Sequence, residues 1–296
     1  MSIRAIDLFC GAGGSSWGAR NAGVEIAAGF DMWPLAGAAF ADNFPEARFF
    51  EGRLDQFTRL RQLAGDLGRI DLILASPECT NHSVAKGNAP RCEASRDTAF
   101  EVVRFAKALA PRWLVIENVT SMRLWCRFTE FLDRLKALGY HLSMETLDAS
   151  WFGVPQRRRR LFILADRERA PSPVRKARSV AKPAKSILES QDRYEFSLLH
   201  SSKRASATLE RAERAMKRLG SQADFLLVYY GSDAAGGWQS LESPLRTITT
   251  LDRFAYVRPG RRGHERACRK FCVRAVGNVS CLRVSAGGLR RGWRSG

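Results

Sequence analysis

The sequence predicts an α/β fold, a doubly wound sheet over about the first 166 of 296 residues, with a small second module behind it. Three observations predict it. Short apolar runs alternate with segments of helical period up to Asp166, a glycine-rich turn follows directly on the first apolar run, and the chain turns polar, basic and proline-containing after Asp166.

Ile3 to Phe9 is a short apolar run ended by that turn, which makes it the first strand, and a helix-compatible segment follows from Ser15. Glu25 to Asp31, Ile70 to Ala75, Trp113 to Glu117, Tyr140 to Leu147 and Leu161 to Ala165 are the next strands. Between them Ala99, Val102, Val103 and Ala106 recur at helix spacing, as do Phe128, Phe131, Leu132, Leu135 and Leu138, so each segment has one face to lay on a sheet. These positions are core. Beyond Asp166 a linker with Pro171, Pro173 and Pro183 leads to weak periodicity over Ala205 to Leu219, a strand-like run Phe225 to Tyr230, and a Gly-rich turn at Gly231 to Gly237. The expected organisation is a catalytic domain over 1–166, a recognition module over 167–243, a return segment over 244–257 and a basic tail over 258–296.

No apolar stretch reaches the length of a membrane span, and nothing at the N-terminus reads as a signal peptide, so a cytoplasmic protein is expected. Seven cysteines without framework spacing suit a reducing compartment, where a special cysteine is chemical rather than structural. The formal net charge of +18 points to a polyanionic partner. Its distribution is uneven: residues 258–296 hold ten Arg and one Lys against the single acid Glu265, a net of +10.

The first strand runs into Asp7-Leu8-Phe9-Cys10-Gly11-Ala12-Gly13-Gly14, where glycines let the backbone approach a bound ligand ahead of a helix N-terminus. The second strand ends in Asp31, placed to accept hydrogen bonds from ribose hydroxyls; together the two features imply a nucleoside-containing cofactor. After Ala75 comes Ser76-Pro77-Glu78-Cys79-Thr80-Asn81-His82-Ser83, a cysteine in a polar loop at the carboxyl edge of the sheet, where open α/β folds bind ligands. The next strand ends on the same edge with Glu117-Asn118-Val119. The strand before the linker opens with Gln156-Arg157-Arg158-Arg159-Arg160, and because alternate residues of a strand share a side, Arg158 and Arg160 can point together into one site.

In this order and spacing, Asp-Leu-Phe-Cys-Gly-Ala-Gly-Gly, Ser-Pro-Glu-Cys, Glu-Asn-Val and Gln-Arg-Arg-Arg-Arg resemble the motifs of the cytosine-5 DNA methyltransferases, and Pro244 to Thr250 looks like the segment with which that family returns from its recognition module. The resemblance implies a Rossmann-like S-adenosylmethionine-dependent methyltransferase sheet. It implies Cys79 as the nucleophile on carbon 6 of a flipped cytosine, protonated Glu117 at N3, and Arg160 with Arg158 at O2. For S-adenosylmethionine it implies Phe9, Cys10, Gly11, Ala12, Gly13 and Gly14 at the adenosine and methionine parts, Asp31 at the ribose, Met32 at an adenine face, and Leu54, Pro77 and Thr98 along the same pocket. The expected partner is double-stranded DNA, bound by a monomer, with a cognate restriction endonuclease left open. A tRNA-directed enzyme of the same mechanism and a catalytically impaired DNA-binding relative are the alternatives.

The sequence also departs from the family. Pro77-Glu78-Cys79-Thr80 is one residue longer than the usual Pro-Cys-Gln, which keeps Cys92 as a fallback nucleophile. Arg53 stands where an acid commonly accepts from the adenine amino group, and Asp55 is the nearest substitute. The tail from Arg258 lacks the family's closing segment, Val276-Gly277-Asn278-Val279 notwithstanding, and reads as the product of a shifted frame or a truncation. His264, Cys268, Cys272 and Cys281 fit no standard zinc spacing, so no metal is expected.

Overall fold

A computed structural model describes residues 2–78, 93–176, 181–188, 197–201, 204–230, 236–248, 253–258 and 266–268. The chain divides into two compact units, one made of Met1–Asp148 with Arg159–Arg175, the other of Ala149–Arg158 with Lys176–Gly296.

The first unit runs β1 (Arg4–Leu8), α1 (Gly14–Asn21), β2 (Glu25–Asp31), α2 (Pro34–Asn43), β3 (Arg48–Glu51), α3 (Leu60–Leu67), β4 (Leu72–Ala75), α4 (Glu93–Arg96), α5 (Ala99–Leu109), β5 (Trp113–Asn118), α6 (Phe128–Ala137), β6 (His141–Asp148) and β7 (Arg159–Asp166). Its seven strands lie in the order β3-β2-β1-β4-β5-β7-β6, and β7 runs antiparallel to both neighbours. The expected strands are all present, Glu25–Asp31 with its bounds unchanged and the others with an end shifted by one or two residues.

Alternation along the strands builds two core layers. Ile6, Leu8, Ile73, Ala75, Leu114 and Ile116 join the layer that includes α5 and α6, whereas Ala5, Leu72 and Leu74 join Phe40 and Phe44 on the other side. The helical residues Ala99, Val102, Ala106, Phe128, Phe131, Leu132 and Leu135 are buried as their spacing requires. Strand β3 was not anticipated, because four residues carry no period. Its aromatics explain it: Phe50 stacks on Phe30 at 4.7 Å, while Phe49 lies near Phe40 at 5.9 Å and against Gly37.

Helix α1 starts from Gly13, whose φ of 89° lies in the left-handed region; a Cβ there would fall 2.3 Å from the Phe44 ring. Gly13→Ala therefore combines backbone strain with overpacking, and a loss of about 2–4 kcal/mol is expected in urea unfolding.

The second unit contains β8 (Ser197–Leu198), α7 (Ser206–Leu219), β9 (Phe225–Val228), β10 (Trp238–Ser240), β11 (Phe254–Arg258) and β12 (Arg266–Cys268), in an antiparallel sheet of order β10-β9-β11-β12-β8. Phe225 and Leu227 pack with Ala212 and Ala215 of α7, while Leu226 and Val228 pack with Ala184, Ile187 and Leu245, so β9 is apolar on both faces. Strand β12 lies in a stretch without sequence period, since three residues are too few to show one. Within this unit Gln156 bridges Leu245: Leu245 N–H donates to Pro155 O at 2.9 Å, Arg157 N–H to Leu245 O at 2.7 Å, and Thr247 Oγ1 to Arg157 O at 3.2 Å.

Candidate active site

The glycine-rich turn is held from below and open above. Phe9 and Gly11 take positive φ (58° and 53°), and Cys10 N–H donates to Phe30 O at 3.0 Å, which fastens the turn to the end of β2. Asn43 donates through Nδ2 to Ala12 O at 2.9 Å. Side chains built at Gly11 and Gly14 would meet nothing within 4 Å, so the turn presents bare backbone.

Asp31 caps this turn from the tip of β2. Its Oδ2 accepts from Gly11 N–H and its Oδ1 from Trp33 N–H, both at 2.9 Å, so the carboxylate is fixed between the glycine turn and the next residues, Met32 and Trp33. Those two residues are 57% and 51% exposed, large apolar groups beside a fixed acid. Leu54 is buried behind it, and Gly52 N–H donates to Asp31 O at 3.0 Å. Arg53 turns to Asp55, with Nη2 to Oδ2 at 3.0 Å, and this hydrogen bond holds the Asp55 carboxyl below the ordinary carboxylate range.

Asp7 lies beneath the turn and is fully buried. Its Oδ2 accepts from the Ser16 amide at 3.2 Å and hydroxyl at 2.7 Å, tying β1 to the first turn of α1; its buried Oδ1 meets no donor among the described residues. Burial pushes this carboxyl up to about 7, against the Ser16 hydrogen bonds and with a smaller push from Asp31. An unfolded Asp titrates near 3.9. The folded state therefore keeps a proton that the unfolded chain releases between pH ~4 and ~7, and stability falls as pH rises through that window and then levels off. Asp7→Asn is expected to flatten that decline, which urea unfolding across the same pH range measures. Burial, with Asp7 and Asp31 nearby, also pushes the Cys10 thiol up, so Cys10 stays a neutral thiol.

The other half of the edge is built by β4, β5 and β7. Ser76 N–H donates to Leu8 O at 3.0 Å, and buried Asn118 donates through Nδ2 to Pro77 O at 3.0 Å while its Oδ1 accepts from Val119 N–H at 2.8 Å. Asn118 thus stitches the loop after β4 to the end of β5. Sequence reasoning assigned it no role, although it lies inside a motif. Glu117 pairs across the ladder with Phe162, and Arg160 lies diagonally beside it on β7, with Nε 2.9 Å from Glu117 Oε1. Both side chains are about four-fifths buried, at 21% and 17% exposure. Arg158 precedes β7 and belongs to the second unit, where its carbonyl accepts from Ala149 N–H at 3.1 Å.

Cys79 and its fallback Cys92 lie outside the described residues. The positions flanking them are anchored: Glu78 Oε2 accepts from Ser95 Oγ at 2.5 Å, and Glu93 accepts from Trp125 Nε1 at 3.1 Å. Thr98 is half-buried and donates through Oγ1 to Ser95 O at 2.7 Å. His264, Cys272 and Cys281 are likewise outside the described residues, as is the side chain of Cys268.

The model of the C-5 cytosine-specific DNA methylase family matches residues 3–262. The chain belongs to this family. Among curated relatives, the type II methyltransferase M.AgeI of Thalassovita gelatinovora is 32% identical over 180 residues, covering 58% of this chain and 42% of that one. M.HgiDI of Herpetosiphon aurantiacus is 32% identical over 167 residues, covering 56% and 52%. The chain thus spans about half the length of the curated relatives it matches. Among solved structures, an Entamoeba histolytica methyltransferase superposes with a TM-score of 0.53 at 18% identity, covering 64% of this chain and 61% of that one. A Spodoptera frugiperda DNMT2 mutant superposes with a TM-score of 0.53 at 21% identity, covering 72% and 65%. These likenesses bear out the methyltransferase fold expected from the sequence.

C-5 methylases use S-adenosylmethionine, and the residues present fit it. A bare glycine turn admits the backbone-close part of the ligand, Asp31 offers a fixed acceptor pair for ribose hydroxyls, and exposed Met32 and Trp33 offer an aromatic base a face. The carboxylate of Asp31, beside the bare turn, also suits a ligand carrying positive charge. Among the described residues, no helix is long and apolar enough to cross a membrane.

Proposed function

We propose that this chain methylates carbon 5 of cytosine in double-stranded DNA through a covalent Cys79 adduct on a flipped base. The observation that carries the reading is the Glu117–Arg160 pair at the carboxyl edge of the sheet, one loop away from the Pro77 carbonyl that Asn118 fixes. Carbon 5 is a poor nucleophile. Addition of the Cys79 thiolate to carbon 6 turns the C5–C6 bond into an enamine whose carbon 5 is nucleophilic. Negative charge develops toward N3 and O2, which protonated Glu117 and Arg160, with Arg158, would stabilise by hydrogen bonding. Phe9 to Gly14, Asp31, Met32, Leu54, Pro77 and Thr98 would hold S-adenosylmethionine, which when bound would supply the methyl group as a sulfonium electrophile. Loss of the carbon 5 proton then expels Cys79 and leaves 5-methylcytosine.

In this reading residues 1–166 hold the cofactor and residues 167–243 read the target. The net charge of +18 supports phosphate binding, which would help offset the few kcal/mol spent on flipping the base. The type II relatives suggest a place in restriction and modification, with an endonuclease as partner.

The test is transfer of a radiolabelled methyl group to duplex DNA and, in parallel, to tRNA, with bisulfite sequencing of DNA from expressing cells to locate the mark. Methylated duplex DNA supports the reading. Labelled tRNA without labelled DNA transfers the chemistry to RNA, and duplex binding without methyl transfer makes the chain a DNA-binding relative.

A further inference from the structure

We propose that Arg104, which no motif contains, is the positioning residue for the nucleoside end of the cofactor site; this rests on the S-adenosylmethionine reading above. Arg104 lies on α5, half a hundred residues from the turn it serves. Its Nη1 donates to Phe57 O at 2.7 Å and its Nη2 to Leu54 O, while Nε donates to Glu101 Oε2 at 2.8 Å one helical turn back. One planar guanidinium thus closes both ends of the short turn Leu54–Gln56, and Glu101 sets its plane.

The turn needs such a clasp. It joins β3 to α3 without pairing to a strand; Leu54 O also accepts from Phe57 N–H at 3.1 Å, so it is at the Phe57 carbonyl that losing Arg104 would leave an acceptor unpaired, at a cost of about 1–3 kcal/mol. Leu54 is buried in the main core and the Phe57 ring meets Phe30 edge-on at 5.4 Å, so the turn rests on apolar packing that fixes its depth but not its lateral position. Two groups fix that position. Gly52 N–H reaches Asp31 O at 3.0 Å on the ribose side, and Arg104 holds the two carbonyls on the other. The Arg53–Asp55 pair on the same turn is exposed on both sides and contributes little.

Arg104 therefore sets where the Leu54 wall and the Asp55 carboxylate stand relative to Asp31 without touching the cofactor. A lysine can replace it only in part, because an ammonium is a point donor and the two carbonyls are met by a fork. Loss of the fork should loosen the adenosine end and leave the chemistry at carbon 5 alone. The expected signature is a higher KM for S-adenosylmethionine at unchanged kcat.

The experiment compares wild type, Arg104→Lys, Arg104→Ala and Glu101→Gln in the full chain, measuring the Kd of S-adenosylmethionine and of S-adenosylhomocysteine by calorimetry, and KM and kcat on plasmid DNA lacking cytosine methylation. Arg104→Ala should weaken both ligands by about tenfold or more, Arg104→Lys by a smaller factor, and Glu101→Gln least, with kcat at saturating cofactor unchanged. A folded Arg104→Ala with wild-type affinity overturns the proposal, and so does a fall in kcat without a rise in KM. If Arg104→Ala does not fold, wild-type affinity in Arg104→Lys overturns it. Wild-type protein that binds no S-adenosylmethionine overturns the functional reading, and this proposal with it; wild-type binding that the variants share overturns this proposal alone.

Discussion

Replacing Cys79 by Ser is expected to abolish both methyl transfer and the denaturation-stable complex that wild-type protein forms with duplex DNA carrying 5-fluorocytosine at the target. In the proposed mechanism the thiolate is the nucleophile, and a serine hydroxyl, far less acidic, stays unionised at neutral pH. After addition at carbon 6 and methylation at carbon 5, the fluorine cannot leave as the proton does, so the adduct persists and runs as a shifted band in denaturing gels. A band that survives Cys79→Ser and maps to Cys92 would move the nucleophile to the fallback cysteine. Both cysteines fall between Glu78 and Glu93, which the Ser95 and Trp125 hydrogen bonds fasten to the body of the first unit.

Arg160→Ala is expected to lower kcat by about 10²–10³-fold, the scale for removing one preorganised donor to developing charge. The S-adenosylmethionine Kd should stay within about twofold, because Arg160 pairs with Glu117 on β5 and β7 rather than with the glycine turn or Asp31. Arg160→Lys should recover only part of the loss, since a lysine offers no fork to both Glu117 and the base. Single-turnover methylation with cofactor titration separates the two quantities. A variant with wild-type kcat would remove Arg160 from the reaction and leave its pair with Glu117 a structural contact.

The sequence carried the strands, the two sheet-facing helices and the motif residues because each writes itself in a local pattern: period two or 3.6, a glycine turn, an acid at a strand end. Asp31, Gly11 and Phe9 are assembled as their neighbours in sequence suggest. What stayed hidden depends on partners far along the chain. Phe50 becomes a strand residue only because Phe30 is there to stack on, and Arg104 becomes a clasp only because two main-chain oxygens fifty residues back are its acceptors. Carbonyl acceptors leave no trace in residue identity, so no reading of side chains finds them.

The bridge between Gln156 and Leu245 bears on how this protein can be recombined with its relatives. The decapeptide Ala149–Arg158 lies between β6 and β7 in sequence yet forms part of the second unit, fastened there through Pro155, Arg157 and their bonds to Leu245 and Thr247. Residues 176–268 are therefore not a portable cassette. A chimera that exchanges only the contiguous C-terminal block keeps the host's decapeptide beneath a foreign Leu245 and mismatches the three hydrogen bonds that join them, whereas one with crossovers on both sides of the decapeptide, and again after Arg175, carries the unit across whole. Retargeting by shuffling must follow the contacts of the chain rather than the order of its motifs.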